Sequence, residues 1–569
     1  MGRNNEIRKC FGANKVNPNF GKILITLTRN NSYAEYDNWF SVLKKSFKEV
    51  INFDRKWTRI YLGETQSNKL FLKVFEKEKP DFVSFGMTYS VQDFDVLLKM
   101  REIYPRTKIF TFFADDDILF DNFSRYSALF YDFSFVDQIK YVSKYKEEAI
   151  KSIFPFTIIN TDFFKPLNIK KEYDVVFIGV PKGSLSGRYE YIKFLKDNGV
   201  KLRLFGWVWG NYPEFKDIYG GPLETKEMVK VINQSKIYLC LSKNDYGQPH
   251  FTGKFFEGAA CKTFVLTEYC KDYLDLFQEG KDMVMFKDKE DLLQKINYYL
   301  KNDSKRDKIA ENAYQKISRR YNLYEETKEV FKKVHSNPSK FNFKGLSVKD
   351  YKIRSLSKED MDTKELKIML NDYDYVFFDN KKAKSSKYRK YLQAYSLKIS
   401  GKPISCCDYL VSSFFLGEYL QFYSNISLRN LDKLKFNQFL NINQLMVTKD
   451  YFLENFNIFK NAFDNGKIDF IEEKNTVFIS FPLIKLKTFT SDKLSVMEKA
   501  FKFKFLESLY SLNYRKKLFF SPYPYALFFK SLKANFFILQ SIFKNLADKD
   551  KMKRLTSFEK NKNNLEIGI

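Results

Sequence analysis

A chain of 569 residues has room for two to four domains, and its apolar content is ample for real cores, with aromatic residues alone at 18%. Its 97 Lys and Arg against 69 Asp and Glu leave a formal net charge of +28, which points either to an anionic partner or to a codon bias that also enriches Asn, Phe, Tyr and Ile. Six cysteines without a disulfide framework or C-x-x-C spacing exclude a disulfide scaffold and a zinc module, and no run of about eighteen apolar residues exists to span a bilayer. The opening from Met1 to Lys15 is polar and lacks the apolar centre of a secretory signal, and Glu6 stands where a myristoylation motif needs Ser or Thr. A reducing, cytoplasmic compartment is expected.

Strand and helix patterns then alternate. Lys22 to Leu27 reads as a strand, Trp39 to Val50 as a helix, Asp81 to Gly86 as a strand ending in Gly, and Val91 to Ile103 as a helix with apolar spacing near 3.6 residues. Lys108 to Phe113 is a strand that runs into Asp115, Asp116 and Asp117, and short strands are expected at Phe133 to Val136 and Lys140 to Val142. A second series begins with a buried strand, Tyr173 to Gly179, followed by Gly183, Gly187 and Arg188 before a helix through Leu195. Lys201 to Phe205 is a strand ending in Gly206 and Trp207, and Lys236 to Leu241 is one ending at Ser242. Strands at Thr263 to Leu266 and Met283 to Phe286 precede helices at Asp291 to Asn302, Lys305 to Tyr321 and Leu323 to Val334. This alternation predicts an α/β chain with two doubly wound parallel sheets, over residues 1–165 and 166–335.

A linker is expected from His335 through residues 336–350. Residues 351–545 form an accessory domain, α/β or mostly helical, with strands at Tyr373 to Asp379 and Ile404 to Tyr409, a helix from Ser385 to Leu397 and a mixed segment from Phe439 to Val447. Leu518 to Phe543 is aromatic but broken by Pro522, Pro524, Lys530 and Lys533; it reads either as an interfacial membrane helix with snorkelling lysines or as a helix packed on the accessory domain. Residues 546–569 are a polar tail.

The densest signal lies between His250 and Leu300. A helix carrying Lys254 and Glu257 runs into Gly258, Ala259, Ala260 and Cys261, and then into two short strands separated by a turn at Gly280. Such a layout suits a sugar nucleotide. A carboxylate near a helix start can hold two ribose hydroxyls, a helix dipole with a nearby cation can hold a diphosphate, and small residues bring the helix close to the sheet. Gly179, Gly183, Gly187 and Arg188 form a strand end, a flexible loop and a helix start, placed to absorb charge that grows on a leaving phosphate; the alternative is a Gly-rich surface turn.

Phe256, Glu257, Ala260, Cys261, Leu266, Thr267, Glu268, Leu276, Phe277, Gly280 and Asp282 fit a pattern close to R-x-F-E-x-x-A-C-G-x-x-x-L-T-E, followed by L-F-x-x-G-x-E. With it the chain resembles the GT-B glycosyltransferases, in the spore-maturation-like branch of glycosyl transferases family 1, over residues 75–335. The resemblance implies two Rossmann-like domains facing a cleft, the first for the acceptor and the second for the nucleotide-sugar donor, with the helix after Leu323 crossing back over the first. Lys254 stands where Arg is usual, which keeps the charge without the bidentate fork. Lys262 stands at the usual Gly, and Pro249 replaces the first Glu of an E-x7-E pair, so retention or inversion stays open. From Tyr373 the chain resembles the second half of a GT-A (family 2) domain, where a strand ends in an Asp-x-Asp metal motif. Here the strand ends in Asp379, Asn380 and Lys381, and Lys381 would repel a divalent ion, so a degenerate or accessory domain is expected.

The resemblance assigns Glu257 to the ribose, the alternative being an exposed or capping Glu; Lys254 joins Gly179 and Arg188 as a diphosphate candidate, or is an ordinary solvated helix Lys. Trp207 or Trp209, near Gly206, stacks on the base or packs the cleft wall, and Ser242 and Asn244 reach the base or ribose. Glu268 lines the cleft or caps a helix; His250 contacts the donor or is structural. One of Asp115, Asp116 and Asp117 deprotonates an acceptor hydroxyl; a metal site is the rival, and a polar loop with a helix cap is the other alternative. No metal or other cofactor is expected. The expected function is transfer of a sugar from a nucleotide-sugar donor to a glycan, lipid-linked or protein acceptor in surface polysaccharide or glycoconjugate synthesis, at the inner face of a membrane whose anionic surface is a peripheral partner. The rival is a non-catalytic scaffold or a basic nucleic-acid-binding protein; the second is opposed by the lack of a concentrated basic and aromatic motif, and nucleic acid is not expected.

Overall fold

The computed structural model describes residues 20–487, apart from 27–33, 54, 56–57, 59–63, 87–93, 149, 151, 156–158, 182–185, 245–246, 321–322, 336–350, 363–364, 379–382, 386–387, 413–418, 423–441, 466–467, 469–470 and 472–473. Gly183, the strand end Asp379 to Lys381, the aromatic stretch Leu518 to Phe543 and the tail lie outside the described residues.

The first sheet is all parallel, in the order β2-β1-β3-β4-β5-β6. Its strands are β1 (Lys22–Ile25), β2 (Glu49–Asn52), β3 (Phe82–Phe85), β4 (Lys108–Phe113), β5 (Phe133–Val136) and β6 (Ile153–Pro155). Every residue of β3, β4 and β5 is buried, as expected for strands covered on both faces. The connections are α1 (Ala34–Ser46), α2 (Glu64–Glu78), α3 (Phe94–Ile103), the short helices α4 (Asp116–Leu119) and α5 (Arg125–Ala128), and α6 (Ile139–Glu147).

Two expectations fail here for the same reason, which is that short apolar runs do not distinguish helix from strand. The helix expected to reach Val50 stops at Ser46, and the β-branched pair Val50 and Ile51 joins β1 as the edge strand β2. The strand expected at Lys140 to Val142 lies inside α6, whose buried residues Tyr141, Val142 and Tyr145 share one helical face. The sheet edge is taken instead by β6.

The second sheet is also parallel, in the order β11-β10-β9-β7-β8. It is built from β7 (Tyr173–Ile178), β8 (Leu202–Phe205), β9 (Ser235–Cys240), β10 (Phe264–Glu268) and β11 (Val284–Phe286). Its helices are α7 (Arg188–Asp197), α8 (Thr225–Asn233), α9 (Gly253–Ala260), α10 (Lys289–Lys301) and α11 (Asp303–Arg320). The small residues of α9 let it sit against the sheet: a Cβ on Gly258 would lie 2.5 Å from Val265 Cγ2 and 2.7 Å from Tyr238 Cδ1.

Helix α12 (Leu323–His335) returns to the first sheet. The Leu323 N–H donates to Ile159 O at 3.2 Å, and Phe331 packs among Phe20, Phe47, Phe82, Phe110, Phe133 and Phe135. His335, expected to open the linker, is instead the last residue of this helix and stacks on Phe82 with ring centroids 6.0 Å apart.

The third sheet is mixed, in the order β12-β13-β17-β15-β18-β14, with β16 on β15. Its strands are β12 (Ile353–Leu356), β13 (Tyr375–Phe378), β14 (Ala383–Ser385), β15 (Ile404–Ser412), β16 (Tyr419–Phe422), β17 (Leu445–Thr448) and β18 (Thr476–Lys487). Between β12 and β13 lies the one-turn helix α13 (Leu366–Met369), and α14 (Arg389–Ser400) follows β14. Ser385, expected to start that helix, ends β14 instead, and the mixed segment becomes a 3-10 turn (Ile442–Gln444) leading into β17. No helix among the described residues is long and apolar enough to cross a membrane.

Phe331 is fully buried among the aromatic residues of the first sheet and so fastens the returning helix α12 to that sheet. Phe331→Ala is expected to cost about 3–5 kcal/mol, read as a lower urea midpoint for the first domain.

Candidate active site

In a parallel sheet the loops leaving the C-terminal strand ends gather along one edge, where ligands of open α/β sheets bind. On the second sheet, β7 and β8 end side by side. A Cβ on Gly206 would lie 2.0 Å from the Gly179 carbonyl oxygen, and Gly206 has φ +124, so this crossing tolerates no side chain. The Trp209 indole N–H donates to Gly179 O at 2.7 Å, and Trp209 is fully buried. Of the two tryptophans considered for stacking, Trp209 is therefore part of the core. Trp207 is 55% exposed and precedes Val208, a β-branched residue held at φ 80.

Two cations converge on the last residues of β7. Arg188 opens α7 after Gly187 (φ 66), is buried, and donates to Val180 O at 3.2 Å. Lys254 lies in the first turn of α9, capped by Thr252, and its ammonium donates to Ile178 O beside Gly179 and the Phe177 ring. Glu257 is one turn further along. Burial raises its carboxyl above the ordinary value, while the Lys254 charge and a hydrogen bond from Tyr238 pull it back. Lys262 takes φ 55, the left-handed conformation of the Gly it replaces, and pairs with Glu311 at 2.5 Å.

Ser242 follows β9; its hydroxyl is buried with no hydrogen-bond partner among the described residues. The backbone N–H groups of Ser242 and Lys243 donate to Glu268 Oε2 at 3.2 and 3.0 Å, and the Lys243 ammonium pairs with Oε1 at 2.8 Å. Glu268 neither caps the next helix nor opens onto solvent: it is a buried clamp that holds the loop after β9.

On the first sheet, Asp115 adopts φ 59 and ψ 31, a left-handed turn that Asp tolerates, and helix α4 starts directly after it. The three aspartates then diverge. Asp116 turns inward and accepts from Tyr145 Oη at 3.0 Å. Burial pushes its carboxyl up to about 7, hydrogen bonds from Ser124 and Tyr145 oppose this, and the Asp117 and Asp115 charges add to it. Asp117 turns toward the second sheet. It accepts from Gln138 Nε2 at 3.0 Å and Asn244 Nδ2 at 2.7 Å, and meets His250 Nδ1 at 3.1 Å. Burial would raise its carboxyl, but His250, Gln138 and Asn244 outweigh that and hold it well below the usual range. The Asp115 side chain is 41% exposed, with an oxygen 3.3 Å from His250 Nε2. A further ion pair, Lys140 to Asp272 at 2.8 Å, crosses between the same two domains.

His250, which follows the second sheet's β9 loop, thus meets the aspartates of the first sheet directly. Asp137 and Gln138, which sequence reasoning missed, follow β5 as Asp115 follows β4, and a polar pair at a parallel strand end was the available signal. Asp137 is buried; burial and the charges of Asp115, Asp116 and Asp117 push its carboxyl far up. Asp115, Asp117 and His250 each offer one ligand atom within 4.8 Å of the others, a set a divalent cation can use. Such an ion would compete with the bonds that Asn244 and His250 already make to Asp117.

Asp116 gives this site a measurable pH dependence. Its carboxyl goes from an ordinary 3.8 to about 7 on folding, so between those values the folded state holds the extra proton and stability falls as pH rises. The loss approaches about 4 kcal/mol by neutral pH. Asp117, whose folded value is depressed, keeps its contribution throughout that window and loses it only in stronger acid. Asp116→Asn is expected to make the melting temperature fall less steeply between pH 4 and 7 than in the unsubstituted protein, with the remaining decline carried by Asp137.

Residues 188–331 match the family model described as glycosyl transferase-like. A comparison with curated protein sequences gives no match. Among solved structures, the chain is similar to HepE of Anabaena in complex with UDP and glucose, with 10% identity, TM-score 0.42, and coverage of 56% of this chain and 100% of that one. It is similar to a glycosyltransferase of Rickettsia africae with 14% identity, TM-score 0.42, and coverage of 56% and 99%. It is also similar to sucrose-phosphate synthase of Thermosynechococcus elongatus, with 9% identity, TM-score 0.41, and coverage of 55% and 98%. Residues 188–331, which match the glycosyl transferase-like model, make up most of the second parallel sheet and the helix that returns to the first.

Proposed function

We propose that the chain transfers a sugar from a nucleotide diphosphate to an acceptor hydroxyl, with the donor on the second sheet and the acceptor on the first. The observation that carries this reading is the bridge across the cleft: an acidic loop after β4 meets His250, four residues before Lys254 on the helix that faces the diphosphate position. A proton acceptor and a set of cations therefore flank one gap.

The roles follow from the environments. Glu257 accepts from the ribose hydroxyls. The diphosphate lies beside the Gly179 and Gly206 crossing, and Arg188, Lys254 and the starts of α7 and α9 offset the charge that develops on it. The exposed Trp207 covers one face of the base, and the Ser242 hydroxyl donates to the nucleoside. Asp117 is too weak a base to take the acceptor proton, and Asp116 faces Tyr145. Asp117 instead orients His250 through Nδ1, so that Nε2 faces the gap beside Asp115. The half-exposed Asp115 side chain swings away from Nε2 to admit the acceptor O–H, whose proton passes to Nε2 as the oxygen attacks the anomeric carbon, and Asp117 at Nδ1 stabilises the imidazolium formed. The nucleoside diphosphate leaves with the bonding pair. No step needs a metal, so transfer is expected to persist in chelator. The acceptor is a glycan, a lipid-linked sugar or a protein, and the charge of +28 suits work beside an anionic membrane surface.

A thermal-shift panel of UDP, GDP, CMP, ADP and TDP sugars tests the donor half. One donor class should raise the melting temperature, and Glu257→Ala should weaken that donor at least tenfold, as expected for about 1.5–3 kcal/mol of charged hydrogen bonding. Failure of every donor to shift the protein would count against the proposal. With the donor in hand, Asp115→Asn and His250→Ala should each lower kcat by about 10²–10⁴-fold while leaving the donor-induced shift intact.

A further inference from the structure

The helical segment that carries the aspartates is covered from two sides. It begins at Asp116, widens into a π-turn at Phe120–Ser124 and ends at Ala128. Single π-turns within a helix often occur at functional sites. One flank belongs to the first domain, with Tyr145 bonded to Asp116 and the rings of Tyr141 and Tyr145 at 5.2 and 4.8 Å from that of Phe120. The other flank belongs to the third domain. Tyr388 meets Phe130 edge-on at 5.2 Å, and Tyr391, Leu392, Cys407 and Ile479 join the same buried cluster as Phe120, Phe123 and Tyr126. Two domains joined only by a tether would not share a core.

This contact has a polar centre. Glu148, at the end of α6, accepts from Arg125 Nε at 3.1 Å and pairs with a second nitrogen of the same guanidinium. It also accepts from Tyr395 Oη, on α14, at 2.9 Å. Arg125 in turn pairs with Asp121 at 3.2 Å and lies 4.5 Å over the Phe120 ring. One half-buried carboxylate thus joins α6, the far end of the aspartate segment and the third domain.

We propose that the third domain is a buttress for the aspartate segment, and that Tyr395 is a positioning residue. Its hydrogen bond to Glu148, with the packing of Tyr388, Leu392 and Ile479, fixes the π-turn so that Asp117 reaches His250 in the donor domain. The proposal takes Asp115, Asp117 and His250 as the site, and its test needs neither a donor nor an acceptor, so a failure to find glycosyl transfer leaves it standing.

The chain has only two histidines, His250 and His335. With ¹³C at the ring Cε1 positions, the full chain gives two ring signals. That of His250 reports its contact with Asp115 and Asp117; that of His335, stacked on Phe82, reports the core of the first domain. Asp117→Asn marks where the His250 signal lies once that contact is lost. Tyr395→Phe and Glu148→Gln are each expected to move the His250 signal toward that mark while the His335 signal stays in place, a pattern that general loosening does not produce. Should Tyr395→Phe also displace His335, the isosteric Glu148→Gln decides. A His250 signal unmoved in Glu148→Gln overturns the proposal.

Discussion

An ionised carboxylate taken out of water must be compensated by hydrogen bonds and opposite charge. Asp117 is such a group, and its compensation is divided between two domains. Gln138 comes from its own sheet, whereas Asn244 and His250 come from the other. Opening the cleft would strip Asp117 of two of these three partners. Closure and the assembly of the acid–His constellation are therefore one event, which is how a two-domain enzyme can couple substrate capture to completion of its site.

The same residue type serves three purposes within three positions. Asp115 keeps solvent access because its left-handed backbone turns the chain before α4 begins. Asp116 points back into the aromatic cluster, where burial favours its protonated form. Asp117 meets donors and stays ionised. Environment, not identity, assigns the chemistry, as in other paired-carboxylate sites whose titrations are driven apart. Asp137 is buried near all three, and burial together with their charges pushes its carboxyl well above the ordinary value.

What was legible in the sequence was whatever is local. The buried strands β3 to β5 and β7 to β9 announce themselves by apolar runs that lead into Gly, Asp or Ser, and Lys254 and Glu257 stand at helical spacing behind a cap. The edge strand β2 and helix α6 were misread because each rests on two or three apolar residues that fit both periods. The partner of His250 is 133 residues away in the chain, so no spacing rule could supply it. Glu268 was visible as a strand-end carboxylate, but its task depends on where the loop after β9 places its N–H groups. Likewise Tyr388, Tyr391 and Tyr395 mark an aromatic stripe on α14, whereas the surface that receives it belongs to another domain.

The ends of β7 and β8 show a similar logic in their backbone. Val208 is β-branched and held at positive φ, a conformation that costs of order 1–3 kcal/mol unless its surroundings over-determine it. They do so on both sides. Gly206 is fixed by its approach to Gly179 and by its N–H donating to Gly221 O at 3.0 Å, and Trp209 is anchored by its indole on Gly179 O. With both ends pinned, the segment between them can only bulge outward, and the residue it displays is Trp207. A core that buries one tryptophan completely while straining the chain to expose another two residues away is not maximising its own stability. The exposed indole stands just past the end of β8, and a flat aromatic group covering it would supply the contact that the fold withholds.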